Sequence, residues 1–250
     1  MVNMRTGNLF ICNSEIMRRE IIRLSLKLLF IGGVIFATII YCEIRLRDIP
    51  NSYTIKKYYL EKDLNDIQVL ILGSSHTYFG INPEFFNLKG YNLANASQTL
   101  YYDKELLGRY IDRMPNLKIV IISYSYFALW TELYENVENW RDYCYYHFWG
   151  IKPNNSKLFD IKQVSYIALY GTSFVQNAFF TNFKMEVNDY FPRPNGSFFN
   201  ENYNNLDTSD LLGKNIIMYY DSLMRDEHFS NNCKNLETIL LELTKKILFQ

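Results

Sequence analysis

Residues 69–76 read Val-Leu-Ile-Leu-Gly-Ser-Ser-His, and this stretch decides how the fold is interpreted. The four apolar residues predict a buried strand, Gly73 permits a sharp turn, and two serines stand where a helix begins. The second of them, Ser75, is then lifted out of the sheet edge beside free backbone N–H groups. That position suits the nucleophile of an acyl transfer, because a tetrahedral oxyanion forms next to such donors.

Ser75 is open to two other interpretations. A serine at the start of a helix is often an N-cap, which satisfies the free N–H groups of the first turn. Gly-Ser-Ser before a helix is also compatible with a phosphate site, although the motif lacks a Lys-Ser or Lys-Thr pair and a second glycine at the required spacing.

The segments after residue 66 alternate between strand and helix. Strands are predicted at 67–72, 91–94 and 118–123, and the helices between them at 75–80 and 100–114. This order implies parallel strands with right-handed crossovers. We therefore expect an α/β fold with a doubly wound, flavodoxin-like, mostly parallel sheet.

Polar residues follow each predicted strand. In parallel sheets ligands lie at the carboxyl ends of the strands. Segments 73–76, 92–98 and 124–128 all fall at such ends. We expect the three segments to converge on one cleft.

The rest of this domain, which we place at 67–250, is less regular. Residues 129–210 predict a long insertion over the cleft edge, in the manner of a lid, with a helical pattern from Val164 to Phe180. An amphipathic helix follows at 231–247. The sequence stops where another strand is expected, so the predicted sheet is C-terminally incomplete.

The N-terminal part contains a predicted membrane anchor. Residues 28–42 carry no charge, and the apolar stretch 24–44 has the length of a bilayer span. A tail at 1–23 and a polar connector at 45–66 flank it. Basic residues are balanced on the two sides, so the positive-inside rule does not set the orientation. We adopt the usual arrangement: a single-pass protein of the cell membrane with a cytoplasmic N-terminus and an extracytoplasmic α/β domain.

Composition excludes several classes of function. The formal net charge is zero, which gives no reason to expect nucleic acid as a partner. Of the four cysteines, only Cys144 and Cys233 are placed to form a disulfide in the outer domain, and no Cys-x-x-Cys pair or His/Cys cluster occurs. We expect no metal and no cofactor. The aromatic content of 17% fits an aromatic-rich core or a sugar-binding cleft.

Three blocks of this sequence resemble the SGNH (GDSL-like) hydrolase superfamily. They are Gly73-Ser-Ser-His76, Tyr91-Asn-Leu-Ala-Asn-Ala-Ser-Gln98 and Ser123-Tyr-Ser-Tyr-Phe127, each after a predicted strand. The likeness covers roughly residues 67–130. It is nearest to the membrane-anchored bacterial branch related to D-alanyl transfer proteins and alginate-type O-acetylation proteins.

The resemblance assigns roles to individual residues. Ser75 matches the family nucleophile, and Ser74 replaces the usual aspartate before it. Ser97 stands where a glycine N–H contributes to the oxyanion hole, with Asn95 close by. The third block brings an asparagine in the family, and here it has none. Further residues expected to line the cleft are His76, Asn92 and Tyr124.

The sequence departs from the family pattern at the base. The family ends with Asp-x-x-His, in which the carboxylate orients the imidazole that deprotonates the serine. The three histidines here are His76, His147 and His228, and the residues three positions before them are glycine, cysteine and arginine. No histidine therefore matches the family base.

The resemblance implies a membrane-anchored serine esterase or O-acyltransferase acting on an extracytoplasmic glycan. In the related branch a multi-pass membrane acyltransferase passes the acyl group on, so such a partner is implied too. The alternative is a non-catalytic protein that binds glycan or serves as a scaffold for the acyltransferase. In that case Trp140, Tyr143, Tyr145 and Trp149 are expected to stack on sugars.

Overall fold

The computed structural model describes residues 7–125, 127–154, 160–171, 192–198 and 224–248. The chain divides into two compact units, residues 1–49 and residues 50–250.

The first unit contains one long helix, α1, from Gly7 to Arg47. Its segment Ile16–Arg47 is long and apolar enough to cross a membrane, with a mean hydropathy of 2.1 in its most apolar window. The predicted N-terminal apolar helix is confirmed, and stretch 24–44 lies inside it. The helix extends well into the predicted tail, because no proline or glycine interrupts residues 8–31.

The second unit is built on a parallel sheet. The strands are β1 (Val69–Gly73), β2 (Gly90–Asn92) and β3 (Ile119–Ser123), in the order β2-β1-β3. Every residue of β1 is buried, as its continuous apolar sequence predicts. Ile71 is in register with Asn92, and Gly73 with Ser123, so the carboxyl ends of the strands meet at one edge. The prediction of an α/β fold with parallel strands is confirmed.

Six helices accompany this sheet in the described residues. They are α2 (Ser52–Asp63), α3 (Ser75–Gly80), α4 (Leu100–Tyr110), α5 (Trp140–Cys144), α6 (Tyr166–Tyr170) and α7 (Asp226–Leu248). Short 3-10 turns lie at 83–85, 111–113, 133–135 and 161–163, and a π-helical turn at Tyr145–Trp149 continues α5. Of the helical pattern predicted at 164–180, the structure describes residues 164–171, and α6 lies within them.

Helix α2 occupies most of the predicted polar connector. Asn51 caps it, because its side-chain oxygen accepts hydrogen bonds from the backbone N–H groups of Tyr53 and Thr54, both at 3.0 Å. Thr54 Oγ1 accepts the Asn51 N–H in return, which completes a capping box. Tyr53 and Leu60 are buried in the core. Part of the predicted connector is therefore a capped helix that packs into the domain.

The described first part of the predicted insertion packs into the core. Tyr145 is 1% exposed and stacks on Tyr102 with ring centroids 3.8 Å apart, and Trp149 is 3% exposed against Tyr110. Buried rings have no free face for a sugar, so the stacking role predicted for Tyr145 and Trp149 is corrected to a packing role. Cys144 is a buried free thiol, and Cys233 is free as well, so the one disulfide that the sequence allowed in this domain is not formed.

Candidate active site

The carboxyl ends of β1 and β3 and the segment after β2 form the floor of one cleft. The cleft is small, with a cavity volume of about 30 Å³. The residues that line it come from these three segments, from the start of α4 and from segment 127–136: Ser74, Ser75, Ser97, Gln98, Thr99, Leu100, Asp103, Ser123, Tyr124, Ser125, Phe127, Ala128, Thr131, Glu132, Leu133 and Asn136. The structure thus brings Ser74, Ser75, Ser97 and Tyr124 to one place.

The turn after β1 requires glycine. Gly73 has φ +134°, a backbone conformation that side chains rarely adopt. A Cβ at this position would lie 2.6 Å from Thr77 Oγ1 and 2.9 Å from the backbone oxygen of Ser123. The turn directs the chain away from the sheet edge, and α3 begins two residues later.

Ser75 is the first residue of α3, and the N-cap position falls to Ser74. The N-cap role considered for Ser75 is therefore corrected, and the Ser74 side chain makes no capping hydrogen bond either. In the part of the chain that the structure describes, no group hydrogen-bonds to the Ser75 hydroxyl. A half-buried hydroxyl in a cleft, without an internal partner, remains available to a ligand.

Ser97 adopts a left-handed backbone conformation. Its φ is +56°, and it is the one non-glycine residue with positive φ among the described residues. Its hydroxyl donates to the Glu138 carboxylate, which Arg141 also contacts at 3.0 Å. Burial raises the pKa of Glu138, but the hydrogen bonds from Arg141 and Ser97 outweigh it and lower the pKa below its ordinary value. An ionised Glu138 therefore holds Ser97 in its strained conformation.

Two asparagines predicted near the oxyanion site have structural roles. The Asn92 amide is buried and donates to the backbone oxygens of Thr77 (3.0 Å) and Ile81 (2.8 Å), which fixes the end of α3. Asn95 is buried, and its N–H donates to the Gly73 oxygen at 3.2 Å. The cleft lining includes neither residue. Asn92 and Asn95 therefore shape the site without facing into it.

Asp103 is a cleft residue that the sequence analysis missed. Its Oδ1 accepts the Gly73 N–H at 3.1 Å and the Gln98 side-chain N–H at 2.6 Å. Burial raises its pKa to about 7, although both hydrogen bonds act in the opposite direction. Helical spacing from Leu106 and Leu107 places Asp103 on the buried face of α4, and a carboxylate on such a face is the signal that was available.

Gln98 connects Asp103 to the aromatic core. Its side-chain oxygen accepts the Tyr145 hydroxyl at 2.8 Å while its amide donates to Asp103. All three side chains are buried. A buried network with satisfied partners holds its members in one arrangement, so the cleft floor is fixed from below.

His76 lies beside the cleft rather than in its lining. It is exposed, and its Nδ1 is 3.1 Å from the Ser125 hydroxyl, which does line the cleft. Within the described ranges this is the one hydrogen bond between a serine and a histidine side chain. Tyr124 lines the cleft, and burial, together with the negative charge of the nearby Asp103, raises its pKa. Ser125 is therefore a second hydroxyl to test as a nucleophile.

The other two histidines lie outside the cleft lining. His147 Nε2 contacts the Lys162 backbone oxygen at 2.7 Å, and His228 Nε2 lies 3.1 Å from Glu135 Oε2. The titratable side chains that line the cleft are Asp103, Tyr124 and Glu132. Burial raises the pKa of Glu132. A hydrogen bond of 2.7 Å from the Asn154 amide lowers this pKa, but burial has the larger effect.

Comparison of the chain with protein-family models, with curated proteins and with solved structures finds no match. The function of the cleft is therefore inferred from its geometry alone.

Proposed function

We propose that this protein is a membrane-anchored serine esterase or O-acyltransferase of the SGNH type that acts on acyl esters of an extracytoplasmic glycan. One observation carries the proposal. The Ser75 hydroxyl stands at the start of a helix in a cleft at the carboxyl ends of parallel strands, with no partner among the described residues. Hydroxyl nucleophiles of acyl transfer need this exposure and nearby backbone donors.

In the proposed reaction Ser75 Oγ forms a bond to the acyl carbon and gives up its proton. The bond between that carbon and the leaving sugar oxygen breaks, and the sugar hydroxyl departs with a proton. Water or an acceptor hydroxyl then takes the acyl group from Ser75 by the reverse steps. The backbone N–H groups of Ser75 and Ser97 are the proposed donors to the oxyanion.

The conformation of Ser97 supports its proposed role. A left-handed residue costs roughly 1–2 kcal/mol relative to the ordinary helical conformation, so it persists only where the surroundings enforce it. Glu138 supplies that enforcement through the Ser97 hydroxyl. Asp103 acts as a positioning residue, because its Oδ1 accepts hydrogen bonds from both Gly73 and Gln98. Gly73 lies just before the nucleophile, and Gln98 directly follows the proposed oxyanion donor.

The proposal includes the doubly wound, flavodoxin-like form of the sheet. The order β2-β1-β3 supports it, because β2 and β3 lie on opposite sides of β1, which makes a topological switch point. Ile119 at the start of β3 is 46% exposed, whereas β1 is buried throughout. A sheet that continues beyond β3 would cover that side chain.

The proposal places α1 across the cell membrane, with the N-terminus in the cytoplasm and the α/β domain outside. The apolar length of Ile16–Arg47 supports the anchor. A multi-pass membrane acyltransferase is the proposed partner that supplies or receives the acyl group.

A second function is favoured by one specific observation. Among the described residues, the cleft lining contains no histidine to accept the serine proton. The second candidate is therefore a non-catalytic protein that holds a glycan or an acyltransferase in the same cleft.

Ester hydrolysis by the full chain in detergent tests the proposal. We expect turnover of p-nitrophenyl acetate, with Ser75→Ala lowering kcat at least about 100-fold. Ser74→Ala is the matched control and should stay within a few-fold of wild type, because the Ser74 hydroxyl makes no capping bond. If Ser125→Ala and His76→Ala abolish turnover while Ser75→Ala does not, the nucleophile is Ser125. Absence of turnover, with acetylated glycan bound equally by wild type and Ser75→Ala, would favour the binding protein.

A further inference from the structure

Three ligand-type side chains meet at a point outside the cleft lining. Glu135 lies in the 3-10 turn at 133–135, and Glu227 and His228 lie in the first turn of α7. One ligand atom from each residue lies within 4.8 Å of the others. His228 Nε2 is 3.1 Å from Glu135 Oε2 and 3.9 Å from Glu227 Oε1.

The two inner atoms of this cluster lack hydrogen bonds. His228 is 4% exposed, and among the described residues neither its Nε2 nor Glu135 Oε2 has a hydrogen-bond partner. They are close enough to interact but not aligned as donor and acceptor. Buried polar atoms in this condition destabilise the folded protein. A cation between them would satisfy both.

We propose that Glu135, Glu227 and His228 bind one divalent transition-metal ion, with Zn²⁺ as the best fit. One imidazole nitrogen and two carboxylate oxygens suit Zn²⁺, whereas Ca²⁺ and Mg²⁺ favour oxygen ligands alone. Ligand atoms bound at about 2.0–2.2 Å to one Zn²⁺ lie roughly 3–3.6 Å apart. The pair formed by His228 and Glu135 has this spacing already.

The third ligand completes the site with a small movement. Glu227 is 74% exposed at its side chain, so its carboxylate is free to rotate toward the other two atoms. A water molecule would take the remaining coordination position. The site therefore binds its ion from solution without disturbing the core.

The bound ion would fasten the cleft wall. It joins α7 to the turn at 133–135, and the flanking residues Glu132 and Asn136 line the cleft. Asn232, one turn further along α7, donates to the Leu129 oxygen at 3.3 Å and already ties the same two segments. Zinc binding would strengthen this connection. The zinc site does not depend on the proposed esterase activity.

Calorimetric titration of the EDTA-treated full chain in detergent with ZnCl₂ tests the site. We expect one Zn²⁺ per chain with micromolar or tighter affinity, and a higher melting temperature with zinc. His228→Ala should weaken binding at least about 100-fold and Glu227→Gln about 10-fold. Glu237→Gln, an exposed carboxylate on the same helix, is the matched control and should bind as wild type.

A second measurement separates this site from surface binding. Zinc X-ray absorption of the loaded protein should show one imidazole ligand, which His228→Ala removes and His76→Ala keeps. Since His228 is buried, circular dichroism checks the fold of its variant, and the exposed Glu227 provides a variant that leaves the core intact. The site is refuted if wild type takes up no Zn²⁺, or if neither His228→Ala nor Glu227→Gln weakens binding.

Discussion

Gly73 donates its backbone N–H to Asp103 Oδ1 over 3.1 Å, although the two residues stand 30 positions apart in sequence. The same oxygen accepts the Gln98 amide at 2.6 Å. One buried carboxylate in α4 therefore joins the turn before Ser75 to the segment that carries Ser97. The shape of the cleft depends on a group whose pKa, raised by burial, lies at about 7.

Asp103→Asn should change how stability depends on pH. Asp103 has an ordinary pKa of 3.8 and a folded-state pKa of about 7, so between these values the folded protein holds one more proton than the unfolded chain. Its free energy of unfolding therefore falls as pH rises through this range. Asparagine keeps an acceptor for both donors and does not titrate. We expect the variant to exceed wild type at pH 9 by up to about 4 kcal/mol and to match it near pH 4.

Thermal melts of the full chain in detergent from pH 4 to pH 9 measure this difference. Asp103→Leu is the control, because it also removes the titration but leaves the Gly73 N–H without its acceptor. Its melting temperature should be lower than that of Asp103→Asn at every pH. Parallel curves for wild type and Asp103→Asn would contradict the prediction.

Gly73→Ala should destabilise the protein by about 3 kcal/mol or more. The added methyl group meets Thr77 and the Ser123 backbone at distances that atoms do not tolerate, and the φ of +134° is strained for alanine. Gly108→Ala is the matched control, because Gly108 lies inside α4 with open space around its Cβ position. That variant should be stabilised by up to about 1 kcal/mol. Chemical denaturation of both variants gives the comparison, and equal effects would argue against the turn described here.

Ser97→Gly and Ser97→Ala should differ in stability although both remove the same hydroxyl. Each variant loses the hydrogen bond to Glu138. Glycine adopts φ +56° without strain, whereas alanine retains a penalty of about 1 kcal/mol. We expect Ser97→Gly to be the more stable by that amount in denaturant titrations. The reverse order would show that residue 97 is not left-handed in solution.

The apolar pattern of the sequence was sufficient to predict the sheet. Residues 69–72 and 119–122 are continuous apolar runs, which predict strands of a parallel sheet, and their carboxyl ends meet as that arrangement requires. Only β1 is buried throughout, whereas β3 is exposed at its start and half-buried beyond it. The same logic brought Ser75 and Ser97 to one cleft. Local patterns predict the strands and the turns after them, because the backbone geometry and burial of the residues in the pattern determine both.

Features that depend on partners distant in sequence could not be predicted in this way. The role of Asn92 rests on carbonyl groups at the end of α3, and that of Asp103 on Gly73 and Gln98. The sequence showed no sign of the proposed zinc site. Its residues Glu135 and His228 lie far apart in sequence and meet only through the packing of α7. The start of helix α2 was not predicted, because Asn51, a residue typical of turns, serves as its N-cap.

Lys56 links α2 to the segment after β2. Its ammonium group is buried, donates to the backbone oxygens of Asn92 (3.2 Å) and Ala94, and lies 3.8 Å above the Tyr78 ring. Burial lowers its pKa well below the ordinary value of 10.5. Between the lowered pKa and 10.5 the folded protein therefore holds fewer protons than the unfolded chain, and its stability rises with pH.

Lys56→Met keeps the apolar stem and removes this titration. We expect the melting temperature of wild type, relative to Lys56→Met, to increase between pH 6 and pH 9.5, as measured by thermal melts in detergent. Lys56→Arg is the control, because arginine stays charged throughout this range and should melt below wild type at every pH. A difference between wild type and Lys56→Met that does not change with pH would mean that Lys56 remains charged in the folded protein. The two carbonyl oxygens and the Tyr78 ring would then be stabilising a buried ammonium ion.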